Sequence, residues 1–141
     1  MDFGKDYSLT IGGAAVTTAT TVDVINPATG LAFAKAPRAG AEELDCAVEA
    51  AKRAFPEWKK LGWAARRDVL IAAARAIEPH AENFARLFVQ EQGRPYDMAK
   101  GEIDLGAHWI KAVARQDLDD EIVEDSAARR VVVRHEPLGV I

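Results

Sequence analysis

The feature that most constrains this chain is a change in hydrophobic period near Gly40. Before it, apolar residues recur at every second position. Leu9 and Ile11 lead into Gly12-Gly13, Val22 and Val24 lead into Asn26-Pro27-Ala28-Thr29-Gly30, and Leu31 and Phe33 resume the alternation. That spacing belongs to extended strands with one face inward and one in water. Pro27 fixes φ early in the turn and Gly30 tolerates the positive φ at which a chain reverses, so the flanking runs predict a β-hairpin. After Gly40 the period lengthens: Leu44, Val48, Ala51, Phe55 and Trp58 fall on one helical face. Glu42, Glu43 and Asp45 suit the positive end of that helix's dipole. A chain that switches period in this way combines strands with helices.

The helical pattern continues in three further segments. A second helix is predicted from near Ala64, with Val69, Leu70, Ala73 and Ile77 inward, and it breaks at Glu78 because Pro79 disfavours α geometry before it. Pro79 fits the first turn of a third helix, which buries Ala81, Phe84, Leu87 and Phe88. Gly93, Arg94 and Pro95 end it, a glycine cap followed by a proline stop. A fourth helix spans Tyr96 to Gln116 and carries two apolar stripes, Met98, Leu105, Trp109 and Ala112 beside Ala99, Ile103, Ile110 and Val113. Two stripes predict a helix sandwiched between layers, with Trp109 packed in a core. The acidic run 117–125 reads as an exposed connector and the one candidate boundary, and Arg129 to His135 as an extended strand. Pro137-Leu138-Gly139-Val140-Ile141 opens an apolar strand whose pattern breaks off, leaving surface for further strands to cover.

With 141 residues there is room for one modest domain. Eighteen basic against 22 acidic residues give a net charge of −4, and the basic residues are scattered, which argues against nucleic acid or an anionic membrane as partner. The first ten residues include Asp2 and Asp6 and hold no apolar run long enough for a signal peptide or a membrane span. Cys46 is the only cysteine, so an intrachain disulfide is excluded and a reducing compartment fits; the expected location is cytoplasmic.

Five landmarks stand in order along the chain: Ile25-Asn26-Pro27-Ala28-Thr29-Gly30; the helix through Ala50-Ala51-Lys52-Arg53-Ala54-Phe55-Pro56-Glu57-Trp58; Arg66 with Leu70; Glu91-Gln92-Gly93-Arg94-Pro95; and Arg134-His135-Glu136-Pro137-Leu138-Gly139-Val140. In that order and at that spacing they resemble the N-terminal portion of the NAD(P)-dependent aldehyde dehydrogenase superfamily, from Tyr7 onward. The resemblance implies an α/β, aldehyde-dehydrogenase-like fold: a β-hairpin, about four helices, a β arm and the start of the first parallel strand. It assigns residues 1–126 to the hairpin and helical layer of the NAD-binding domain, 127–136 to the oligomerisation arm, and 137–141 to the first strand of the nucleotide-binding sheet. The family's chemistry is covalent: a cysteine thiolate attacks the aldehyde, hydride passes to NAD or NADP, and a glutamate activates water for hydrolysis. The groups that carry it follow the position matching Ile141, so no catalytic and no cofactor-binding residue is assigned, and no dinucleotide is expected to bind this chain alone. Its expected partners are the remainder of a dehydrogenase or a companion chain, in a complete enzyme that is a homo-oligomer.

One site is implied in part. Many family members hold a monovalent cation with backbone carbonyls beside the Asn-Pro turn and a carboxylate before the Gly-[Lys/Arg]-Pro stop; the matching positions are Val24, Ile25 and Glu91. Hard cations prefer such oxygen donors. The family often has aspartate where Glu91 stands, and a solvated helix-end carboxylate is the competing reading. The resemblance also places the fourth helix at a substrate entrance, against the core packing that its stripes predict for Trp109. Cys46 sits in Leu44-Asp45-Cys46-Ala47, unlike the family's cysteine motif, and reads as an ordinary helix residue. His80, His108 and His135 are too dispersed for a metal cluster. Arg129, Arg130 and Arg134 alternate over both faces of a strand, as solvated edge charges rather than a phosphate clamp. The function expected is scaffold and assembly surface of an aldehyde dehydrogenase, inactive alone. A stand-alone helical interaction module, or an assembly partner of an intact dehydrogenase, is the alternative.

Overall fold

The turn chemistry around Asn26 organises the first third of the molecule. In the computed structural model, which describes residues 7–116 and 118–141, the Asn26 side-chain Oδ1 accepts the Ala28 N–H at 2.9 Å. The Asn26 carbonyl accepts the N–H groups of Thr29 (3.2 Å) and Gly30 (2.8 Å). Gly30 takes φ +69°, a left-handed conformation that costs glycine little. This turn joins β3 (Thr21–Asn26) to β4 (Leu31–Pro37) as an antiparallel pair, as the alternation predicts. A smaller antiparallel hairpin precedes it, β1 (Leu9–Ile11) with β2 (Ala14–Val16), turning through Gly12 and Gly13 at positive φ.

Helix α1 (Ala41–Lys60) starts where the period changes. Glu43 Oε2 accepts the Gly40 N–H at 2.7 Å, satisfying one donor at the helix start. Its far end is held from the next helix: the Arg66 guanidinium donates to the Leu61 and Lys59 carbonyls. Helix α2 (Trp63–Ile77) ends as Pro79 predicts, and a single 3-10 turn, Glu78–His80, carries that proline into α3 (Ala81–Gln92). Gly93 caps α3 at φ +68°. Helix α4 (Tyr96–Ala114) packs against both α2 and α3.

The buried core of the described residues is made of alanines: Ala74 on α2, Ala81 and Ala85 on α3, Ala99, Ala107 and Ala114 on α4. Small side chains at these crossings let helix axes approach closely, and the larger apolar groups are left at the margins of the seam. Several expected inward residues are corrected by this arrangement. On α2 the seam runs through Leu70, Ala74 and Ile77, while Val69 and Ala73 turn to solvent. Leu70, Ala74 and Ile77 are four and three apart, so one rotation of the helical wheel separates the true stripe from the neighbouring one. On α1, Leu44 (62% exposed) and Ala51 are uncovered and only Val48, Phe55 and Trp58 of the predicted face are partly shielded.

On α4 one of the two stripes is covered. Ala99, Ile103, Ala107, Ile110 and Ala114 face α2 and α3, whereas Met98, Leu105 and Trp109 (58% exposed) lie on the open side and Val113 is exposed as well. The core packing predicted for Trp109 is therefore not found among the described residues, where α4 is flanked by helices on one side.

The C-terminal region departs from the sequence reading in two places. Glu121–Asp125, expected as connector, is a strand, β5, paired antiparallel with β6 (Arg130–Val133). Two of its acidic side chains are met by arginines, Asp125 by Arg130 on β6 and Glu124 by Arg129 just before it. Arg134 and His135, expected to continue the strand from Arg129, and residues 137–141, expected to begin another, have no strand pairing; Leu138 is 92% exposed. An extended segment becomes a strand only with a neighbour to take its backbone hydrogen bonds, and none lies beside it among the described residues. The acidic positions Asp2, Asp6 and Asp117 lie outside the described residues.

Candidate functional site

The two sequence motifs flagged for a cation, the Asn-Pro turn and the Gly-Arg-Pro stop, meet in space. Strand β3 brings Val24 and Ile25 to the hairpin, α3 brings Glu91 to its last turn, and the two elements are in contact. The register of β3 on β4 breaks between them: Val24 pairs with Ala34 and Ile25 with Ala32, so Phe33 is an extra residue on β4. Such a bulge interrupts the ladder and leaves backbone groups free of strand partners. Below Gly93 the Pro27 ring seals the junction; a Cβ built on Gly93 would stand 2.8 Å from Pro27 Cγ.

A cavity of about 180 Å³ opens at this junction, lined by Val24, Phe33, Ala34 and Ala36 of the hairpin, Leu87 and Glu91 of α3, and Tyr7. Of the three candidate cation residues it brings together Val24 and Glu91. Ile25, across the bulge, is exposed and does not line it. The lining is mostly apolar, and Glu91 is the one carboxylate it presents among the described residues. Among the described residues no three His, Cys, Asp or Glu side chains cluster as a metal site would require. A cation here would rest on backbone carbonyls and a single carboxylate, which suits a weakly charged hard ion.

Cys46 is an exposed free thiol on α1. The three arginines on and beside β6 each have a carboxylate of their own. Arg129 reaches Glu124 at 2.6 Å, Arg130 reaches Asp125 at 3.7 Å, and Arg134 reaches Asp120 at 2.6 Å. The hydrogen bond from Arg134 holds the Asp120 carboxyl below the usual carboxylate range, with Coulombic attraction adding to it. Hydrogen bonds from Arg129 and then Ser126 do the same for Glu124. The arginines are solvent-exposed, as expected, and each is matched by a carboxylate on or next to β5. Sequence reading missed this because the acidic partners lay in a run taken for connector. The signal was there in the opposite charges flanking Ser126-Ala127-Ala128, within the segment that joins the two strands.

A second apolar depression lies between α1 and the C-terminal segment, lined by Phe55 and Trp58 on one side and Gly139, Val140 and Ile141 on the other. Lys59 and Glu136 pair at 3.0 Å across its rim. No described helix is long and apolar enough to cross a membrane.

Comparison with known proteins is consistent along the chain. A probable aldehyde dehydrogenase of Pseudomonas sp is 35% identical over 135 residues, covering 96% of this chain and 28% of its own length. The NADP(+) succinate-semialdehyde dehydrogenase of Escherichia coli K12 is 35% identical over 122 residues, covering 84% of this chain and 25% of its own length. Among solved structures, an indole-3-acetaldehyde dehydrogenase in apo form superposes with a TM-score of 0.87 at 29% identity, over 95% of this chain and 32% of that one. The chain thus spans about a quarter to a third of the length of these relatives. A family model described as the aldehyde dehydrogenase family matches residues 15–141, and the chain belongs to that family.

Proposed function

We propose that this chain is the N-terminal portion of an NAD(P)-dependent aldehyde dehydrogenase and supplies framework rather than chemistry. The observation that carries this reading is the composition of its core. Among the described residues only alanines are buried and no large side chain is fully enclosed, while Leu44, Met98, Leu105, Trp109, Leu138 and Ile141 are exposed. A self-sufficient domain buries its large apolar groups, each worth roughly 1.5–3 kcal/mol when removed from water. Here those groups form outward faces on α1, α4 and the C-terminal segment, the surfaces against which the rest of a dehydrogenase would pack.

In this reading residues 1–126 form the hairpin and helical layer of the nucleotide-binding domain. Residues 127–136, with β5 as their partner strand, belong to the arm that joins subunits, and 137–141 enter the first parallel strand once neighbours are present. Aldehyde oxidation with NAD or NADP, and assembly into a homo-oligomer, are properties of the complete enzyme. A companion chain or the remainder of the polypeptide supplies the thiolate, the general base and the dinucleotide site.

The test is complementation. The purified chain alone is incubated with NAD or NADP and a simple aldehyde, then with a companion chain carrying the remainder of the enzyme, and reduced nicotinamide is followed by absorbance. Activity only in the mixture supports the reading. Tight dinucleotide binding or turnover by the chain alone overturns it. The stand-alone interaction module predicts instead a monomer that melts cooperatively and binds little apolar dye.

For the cation, we propose that the backbone at Val24 and Ile25 and the Glu91 carboxylate contribute part of a monovalent-ion shell. The shared cavity of Val24 and Glu91 at the bulge supports it. Replacing choline chloride by sodium chloride at equal ionic strength should raise the melting temperature of the complemented enzyme, and Glu91→Gln should remove that rise. An identical response in both proteins means that Glu91 is a solvated helix-end carboxylate.

A further inference from the structure

We draw no further inference here: the strongest candidate, the exposed apolar stripe of Met98, Leu105 and Trp109 on the open side of α4, carries nothing because nothing in the structure shows what covers it.

Discussion

Pro27 and Gly93 are locked against each other: the proline of the hairpin turn occupies the space that any side chain at the α3 cap would need, 2.8 Å from an ideal Cβ. Gly93 also sits at φ +68°, where an L-residue is strained. Two local rules of sequence, a turn proline and a helix-stop glycine, are therefore one tertiary contact that fixes the hairpin on the helical layer.

Gly93→Ala should destabilise the chain by about 1–3 kcal/mol, combining the left-handed backbone cost with the clash. The two parts can be separated. Pro27→Ala in the same chain removes the ring and should recover part of the loss, so a double-mutant cycle on thermal melts would show favourable coupling between the sites. Strict additivity would mean that the contact carries no energy and that the backbone strain acts alone.

The alanine seam makes a sharper contrast between size and position. Ala107→Leu places three extra carbons in a crossing where Ala107 is 3% exposed, and overpacking of this kind costs about 1–3 kcal/mol. Trp109→Gln, two residues along the same helix, removes a large aromatic from the open side and should leave the melting temperature of the isolated chain nearly unchanged. It should also lower binding of an apolar dye such as ANS. A large loss of stability in Trp109→Gln would show that the indole is packed within this chain after all.

Much of this architecture was legible in sequence because its causes are local. The period change at Gly40, the Asn-Pro turn, the Pro79 break and the Gly93 stop each depend on a few neighbouring residues, and each is found where expected. What was not legible depends on partners elsewhere. Val69 and Leu70 are equally apolar, and only the position of α4 decides that Leu70 faces the seam. Trp109 reads as core by its stripe, yet the stripe says nothing about which layer will cover it. The acidic run 117–125 reads as connector until Arg130 is placed across from Asp125. The candidate cation residues show the same division: their motifs stand apart in the sequence, the cavity that Val24 and Glu91 share arises from the packing of α3 on β3, and Ile25 falls outside it.

The hairpin turn offers a smaller test of local chemistry. Asn26→Ala deletes the acceptor of the Ala28 N–H while leaving the backbone bonds from Thr29 and Gly30 to the Asn26 carbonyl in place. A solvent-accessible hydrogen bond of this type contributes about 0.5–1.5 kcal/mol, so a melting-temperature drop of a few degrees is expected. Asn26→Asp retains an acceptor and should lose less. If both variants melt alike, the side-chain bond is not what shapes the turn.

The β5–β6 hairpin should respond to acid through Asp120 and Glu124. Both carboxyls titrate below their ordinary values because the folded hairpin gives them arginine hydrogen bonds, from Arg134 and from Arg129 respectively. A carboxylate whose pKa is lower folded than unfolded binds fewer protons when folded. Its stabilisation is therefore complete above the unfolded value and is lost as pH falls through the folded one. The pairing of β5 with β6 should hold above about pH 4 and weaken below it. Both pairs are solvent-exposed, so added salt should blunt the effect. Carboxyl carbon shifts followed by NMR give the direct reading: in Arg134→Gln the Asp120 midpoint should rise towards its ordinary value while that of Glu124 stays put. An unmoved Asp120 midpoint would show that its ion pair with Arg134 does not persist in solution.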